Sequence, residues 1–173
     1  MLRIVFAIVM IAMLSPAALA QRAKDTAAGV GMHNFVRSTT AANRFEVQSS
    51  QLALTRSVSP RVRQFAHLMI RDHSRADRQL TATARRVDIR TSDGIDAWHL
   101  RLLGTVRRAR GPEFQRAYID TQVDAHLRLV SLHRNYLRNA RNSQVRRVAE
   151  KWLPVFQEHL RMAQLLDARI ARG

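Results

Sequence analysis

Four residues with metal-binding side chains recur at positions that a helical pattern would bury: Glu46, His73, His126 and His159. Neutral imidazole is a ligand for zinc, copper, iron and nickel, and a carboxylate adds negative charge and a harder oxygen donor. Helical bundles build metal and cofactor sites from such side chains on facing helices. The four residues therefore predict one interior polar cluster, which holds either a single transition-metal ion or a metal-free hydrogen-bonded network.

Of the four candidates, Glu46 is the one whose burial is most costly without a partner. It stands in the stretch FEVQSSQLAL, residues 45–54, where helical spacing turns its side chain towards the core. A buried carboxylate without a partner is costly, so we expect Glu46 to pair with an imidazolium or to bind a metal ion.

Two further residues are candidates to support the metal ligands. Gln122 precedes His126 by one helical turn, so their side chains share a face. Asp72 adjoins His73, although neighbouring helical side chains diverge by about 100°. We expect Asp72 and Gln122 to surround the ligands rather than to bind the ion themselves.

The donor set differs from that of ferritin-like diiron enzymes, which use a Glu on each of two helices and a Glu-x-x-His pair on each of the other two. This chain has no Glu-x-x-His pair, and its nearest equivalent is DAWH, from Asp96 to His99. A single carboxylate with imidazoles suits one zinc or copper ion, or no metal, better than a diiron centre. The sequence also lacks H-E-x-x-H, G-x-S-x-G and Gly-rich phosphate motifs, and without cysteine it has no thiol chemistry.

Long helices must position these residues, because apolar side chains recur at spacings of three and four and no stretch alternates as a strand would. Ser59 is a suitable N-cap, and Pro60 and Pro112 fit the first turns of helices. The pattern predicts four long helices and a short one, over residues 30–56, 60–86, 96–109, 112–140 and 143–171.

The predicted fold class is all-α, because four helices of about 25 residues with mostly short turns are typical of a four-helix bundle. The short helix falls in the link between the second and third long helices. Periodicity alone allows that link to be either a crossover or a simple up-down turn. Each candidate ligand lies near the middle of its helix, so antiparallel packing would bring all of them to a similar height.

Long stretches of the chain resemble the bacterial domain of unknown function 4142. FVRSTTAANRFEVQSSQLALTRSVSPRVRQFAHLMIRDHSRAD is similar to its first half, and EFQRAYIDTQVDAHLRLV and WLPVFQEHLRMAQLL are similar to its second half. The resemblance implies a ferritin-like bundle with a crossover, in an exported protein of the kind often labelled an outer-membrane protein. It also implies that the family's recurrent polar positions are Asp72, His73, His126 and His159. It implies no particular reaction.

The N-terminus predicts export. Arg3 precedes an apolar run over residues 4–14, and Ala18-Leu19-Ala20 has the small residues of a signal-peptide cleavage site. The run is shorter than the roughly 20 apolar residues of a spanning helix. We expect a location in the periplasm or cell envelope, with a signal peptide over residues 1–20, a linker over 21–33 and the bundle over 34–171.

The net charge of +16 comes almost wholly from arginine, because lysine occurs only at positions 24 and 151. Such a charge favours an anionic neighbour, such as a lipid or envelope surface bound peripherally. The arginines are spread along the chain, which is also typical of a solvated surface. Export and the lack of one clustered basic face argue against specific nucleic-acid binding, and the sequence leaves the oligomeric state open.

Two functions are consistent with these features. The first is a non-enzymatic envelope or stress-related bundle whose His/Glu cluster can bind a metal. The alternative is a ferritin-like metalloenzyme with oxidase or superoxide-type activity. The missing Glu-x-x-His pairs favour the first function, because fold analogy alone is weak support for a reaction.

Overall fold

The computed structural model describes residues 16–57, 59–91 and 94–172. Within these residues the chain is helical and contains no strand, which confirms the all-α prediction. The helices are α1 (Pro16–Arg56), α2 (Pro60–Arg86), α3 (Ala97–Arg108), α4 (Gly111–Asn139) and α5 (Ser143–Ile170). None of the helices in this part of the chain combines the length and the hydrophobicity that a bilayer-spanning segment needs.

Local chemistry explains where α2 and α5 begin. Ser59 accepts a hydrogen bond from the backbone nitrogen of Val62, and Pro60 takes the first helical position, as predicted. Asn142 Oδ1 accepts hydrogen bonds from the backbone nitrogens of Gln144 and Val145, each at 3.0 Å. These side chains satisfy backbone donors that a helix leaves free in its first turn.

The start of α1 differs from the prediction. α1 begins at Pro16, so the predicted helix start near residue 30 is wrong. Residues 21–33, expected to be a linker, have helical backbone. No proline interrupts this segment, and Ala23, Ala27 and Ala28 favour a helix. The predicted signal peptide falls largely on residues 1–15, which lie outside the described residues, and the domain limits stay a prediction.

The four long helices pack as a bundle in which α1 contacts α2 and α4, and α5 contacts the same two helices. The short helix α3 packs against α1 and α4. Arg86 donates to the side chain of Gln144, which places the end of α2 beside the start of α5. Arg56 donates to the carbonyl of Arg107, which places the end of α3 beside the end of α1. The link that carries α3 therefore crosses from one end of the bundle to the other, as the family resemblance implied.

Two apolar layers fill the ends of the bundle. Phe35, Leu80 and Phe156 belong to one layer, and Phe65 and Phe114 belong to the other. The layer between them is polar, and its side chains are at most 2% exposed: Asn43, Glu46, Ser49, His73, Gln122, His126 and His159. The predicted ligands therefore lie at one height, in the middle of the bundle.

Candidate metal site

Three imidazole rings meet in the polar layer, one each from α2, α4 and α5. His73 Nε2 lies 3.3 Å from His126 Nε2 and 3.4 Å from His159 Nδ1. One nitrogen from each ring falls within 4.8 Å of the other two. The structure thus brings three of the four predicted ligands to a single point.

The outer nitrogen of each ring lies within hydrogen-bonding distance of an oxygen atom. His73 Nδ1 lies 2.9 Å from Asn43 Oδ1, and His126 Nδ1 lies 2.9 Å from the backbone carbonyl of Gln122. His159 Nε2 lies 3.2 Å from the Asp72 carboxylate. Because carbonyl and carboxylate oxygens only accept, these contacts favour the tautomer in which each outer nitrogen carries the proton. In that tautomer the three inner nitrogens of the neutral rings have lone pairs that can bind a metal ion.

Two of the three separations between the inner nitrogens equal those found in a metal site. Nitrogens bound about 2.0–2.1 Å from one tetrahedral ion lie roughly 3.3–3.4 Å from each other. His73 Nε2 lies at this distance from each of the other two inner nitrogens, at 3.3 and 3.4 Å, and all three nitrogens fall within 4.8 Å of one another. Since three lone pairs that face one another repel, a cation between them would stabilise the arrangement.

Burial keeps all three rings neutral. Burial lowers the pKa of His126 to about 3, and the neighbouring His159 adds to the effect. The pKa of His73 is lowered well below its usual value by burial and by His126 and His159. Burial also lowers the pKa of His159, although Asp72 offsets part of that shift. Neutral imidazole is the metal-binding form, so protons compete little for these nitrogens near neutral pH.

Glu46 lies behind His126 rather than beside the converging nitrogens. Its Oε1 is 3.5 Å from His126 Nδ1, the nitrogen that donates to Gln122. Within the described residues neither carboxyl oxygen makes a hydrogen bond. Burial raises the pKa of Glu46 well above its usual value, and the nearby Gln122 side chain acts in the opposite direction. In this position Glu46 can influence a bound cation through His126 without contacting it.

Asp72 and Gln122 both hold imidazole rings, but by contacts that the sequence did not specify. Asp72 adjoins His73 in the chain, yet it accepts a hydrogen bond from His159 on another helix. Gln122 uses its backbone carbonyl for His126, while its side-chain amide donates to Ser49 Oγ at 3.2 Å. Both residues therefore orient ligand rings from outside the group of converging nitrogens.

Two buried residues near the cluster were not among the predicted site residues. Asn43 holds His73, and the available signal was its position three residues before Glu46, on the same face of α1. His133 lies on the apolar line of α4, but its Nδ1 donates to the carbonyl of Leu129 at 2.9 Å. His133 is therefore a satisfied core histidine.

Aromatic rings help to close the cluster off from solvent. Phe156 stacks on His73 with ring centroids 5.0 Å apart, and Trp152 stacks in turn on Phe156 at 6.0 Å. The three histidines of the cluster are at most 2% exposed. The site can therefore take a small ion, whereas a bulky substrate would reach it only after the helices rearrange.

The DAWH segment has a local structural role. Asp96 caps α3 by accepting a hydrogen bond from the backbone nitrogen of His99 at 2.9 Å. The other carboxylate oxygen of Asp96 lies 2.9 Å from His99 Nδ1. The His99 ring packs against Phe45 and Trp98. These contacts fix the start of α3 and its attachment to α1.

Comparisons with known proteins agree with this fold. The family model described as "Domain of unknown function (DUF4142)" matches residues 16–166. A crystal structure of a DUF305 fragment from Deinococcus radiodurans is similar, with a TM-score of 0.71 and 16% sequence identity over 80% of this chain and 96% of that chain. At this identity the similarity shows the fold alone. No curated protein matches the chain.

Proposed function

Since the chain belongs to the DUF4142 family, whose description assigns no reaction, we propose a function from the geometry of its site. The protein binds a single transition-metal ion through His73, His126 and His159. One observation carries the proposal: three imidazole nitrogens, one from each of three helices, converge within 4.8 Å of one another. Each is turned inwards by an acceptor bound to the other nitrogen of its ring.

The donor set indicates which ions would bind. Imidazole nitrogens favour zinc and copper, whereas magnesium and calcium prefer oxygen ligands. Among divalent ions, copper binds nitrogen sites most tightly. Three imidazoles leave one tetrahedral position for a water molecule or a small anion. The Asp72 carboxylate beside His159 supplies negative charge that would offset a buried divalent cation. Glu46, near His126, would add to it by releasing its proton when the ion binds.

A binding role fits the site better than turnover of a substrate. The ligand rings are buried and packed against Phe156, which leaves little space beside the ion. A diiron oxidase needs carboxylates that bridge two ions. Here the converging groups are imidazoles, and the Asp72 and Glu46 carboxyl groups approach the outer nitrogens of His159 and His126. We therefore place metal binding, rather than oxidase or superoxide-type chemistry, at the centre of the proposal.

Metal titration of the mature chain, purified without a histidine tag, tests the function. We expect one Zn²⁺ or Co²⁺ per chain by metal analysis, and a Co²⁺ visible spectrum typical of tetrahedral nitrogen coordination. Replacing one of three ligands should weaken binding at least about 100-fold. His126→Gln is the first variant, and His159→Gln gives a second measurement should the buried His126 variant fold poorly.

The matched control is His67→Gln, which removes an exposed histidine of α2. It should bind the metal with unchanged stoichiometry and affinity. Absence of stoichiometric binding by the unsubstituted chain would rule out the function. Equal weakening in the His67 and His126 variants would show that the ion binds elsewhere.

We further propose that the protein is exported and lies against an anionic surface of the cell envelope. The apolar run at residues 4–14 with the small residues at 18–20 supports export. The net charge of +16 supports an anionic neighbour. Several exposed arginines surround the turn between α4 and α5, at one end of the bundle: Arg134, Arg138, Arg141 and Arg147. This end is the surface we expect to face the envelope.

A further inference from the structure

The polar side chains around the histidine cluster differ in how much of their surface is exposed to solvent. Asn43 and Glu46 are fully buried. On the face shared by α2 and α5, the side chain of Asp72 is 9% exposed and that of Arg71 is 57% exposed. Of the side chains that contact the cluster's outer nitrogens, Asp72 is thus the one that an ion arriving from solvent meets first.

Arg71 makes a bidentate contact with the Asp72 carboxylate. Its Nε donates to Asp72 Oδ1 at 2.7 Å, and its guanidinium nitrogen donates to Oδ2 at 2.9 Å. Adjacent helical residues do not normally face each other, so Arg71 must fold back over its neighbour to make this contact. The same Oδ2 accepts the hydrogen bond from His159. Arg71, Asp72 and His159 therefore form one chain of contacts from the surface to the cluster.

This chain of contacts has two consequences for an approaching cation. The guanidinium is permanently charged, so it repels a metal ion at short range and occupies both oxygens that would otherwise attract one. It also holds Asp72 where that carboxylate accepts from His159, which keeps His159 Nδ1 turned inwards. While the Arg71–Asp72 contact is intact, the His159 ring is held in its metal-binding orientation, but a metal ion cannot pass between solvent and the cluster.

We propose that the Arg71–Asp72 pair gates the exchange of the metal between solvent and the histidine cluster. The inference rests on the metal-binding function proposed above. Arg71 is a positioning residue, because its two side-chain hydrogen bonds go to Asp72. Rotation of this exposed side chain frees Asp72 to bind the ion at the surface and to pass it inwards to His159.

Metal exchange kinetics test the gate. Metal-free protein is mixed with Co²⁺ in a stopped-flow instrument, and release is then followed after addition of excess EDTA. Arg71→Gln should speed both uptake and release about tenfold, because it removes the charge and the contact that hold the gate closed. Since both rates rise together, the equilibrium dissociation constant should stay within about threefold of the unsubstituted value.

The control is Arg75→Gln, one turn further along α2. Arg75 is also exposed, so the change removes the same charge from the same helix. Solvent and salt screen that charge, so both rates should stay within about twofold of the unsubstituted protein. The gate is refuted if Arg71→Gln matches the Arg75 variant. It is equally refuted if Arg71→Gln speeds uptake alone, because that result indicates simple charge repulsion.

The same measurements separate failure of the gate from failure of the function. If the unsubstituted chain takes up no stoichiometric Co²⁺, the proposed function is wrong and the gate is wrong with it. The gate alone is wrong under a different set of results. In that case the unsubstituted chain binds one Co²⁺ and His126→Gln does not, but the Arg71 and Arg75 variants exchange the ion equally fast.

Discussion

At each histidine of the cluster, the nitrogen that faces away from the other rings donates to a different kind of acceptor. His73 has a side-chain amide, His126 a backbone carbonyl and His159 a carboxylate. The carbonyl belongs to Gln122, four residues before His126, so α4 itself fixes that ring. The other two rings depend on side chains of neighbouring elements. Such contacts orient metal ligands, and the carboxylate also makes its imidazole a stronger donor.

Glu46 leads to a prediction with a definite pH dependence. Its pKa is raised above the usual 4.5 by burial, so above that pH the folded state retains a proton that the unfolded state has released. The metal-free protein therefore loses stability as the pH rises from about 4.5 towards the folded pKa, by up to about 1.4 kcal/mol per pH unit. Glu46→Gln does not titrate, so its stability relative to the unsubstituted protein should increase with pH, as measured by urea unfolding at pH 5, 6.5 and 8.

Glu113→Gln is the control for Glu46, because it removes an exposed glutamate from the first turn of α4. Its stability relative to the unsubstituted protein should change little between pH 5 and 8. A flat difference for Glu46→Gln over the same range would show that Glu46 is already ionised and paired in the folded protein.

At the scale of the elements, α5 contributes His159, Phe156 and Trp152 to the site. The N-cap of this helix is Asn142. The Asn142 side chain accepts two backbone hydrogen bonds, from Gln144 and Val145. Asn142→Ala should therefore lower the free energy of unfolding by about 1 kcal/mol. Urea unfolding measures this change. Because the cap lies several turns from His159, Co²⁺ affinity should be unchanged.

Asn139→Ala gives the matched comparison for Asn142. Asn139 is the last residue of α4 and is exposed, so its removal should change the free energy of unfolding by less than about 0.5 kcal/mol. Equal effects of the two changes would mean that the Asn142 side chain does not stabilise the start of α5.

At the scale of the whole molecule, the crossover places α2 and α5 on one face of the bundle and keeps α3 on another. The cluster therefore meets solvent near Asp72, on the α2–α5 face, whereas α3 packs over α1 and α4. The arginines around the α4–α5 turn lie at an end of the molecule. A bundle bound to an envelope surface through that end would leave the α2–α5 face open to metal exchange.

Vesicle binding tests this orientation. The protein should co-sediment with vesicles containing phosphatidylglycerol but not with phosphatidylcholine vesicles, and about 0.5 M salt should release it because screening shortens the reach of surface charges. Replacing Arg134 and Arg138 by Gln should weaken binding more than replacing Arg107 and Arg108, which lie at the opposite end. Equal losses would show that only the total charge matters.

The sequence by itself determined the helices, their apolar faces and the residues that meet at mid-height. Helical periodicity and capping are local properties, so the bounds of α2, α4 and α5 and the burial of His73, His126 and His159 could be read from spacing. The same local reasoning failed at α1, where alanine-rich residues extend the helix to Pro16.

Only the tertiary structure decided how the buried side chains contact each other. It paired Asp72 with His159 instead of its neighbour His73, and it placed Asn43 at His73 and Glu46 behind His126. The physical reason is that spacing along a helix specifies a face, whereas the partner of each ring nitrogen depends on how deep one helix packs against the next. Differences of an ångström or two between helices decide whether a carboxylate binds the ion or orients its ligand.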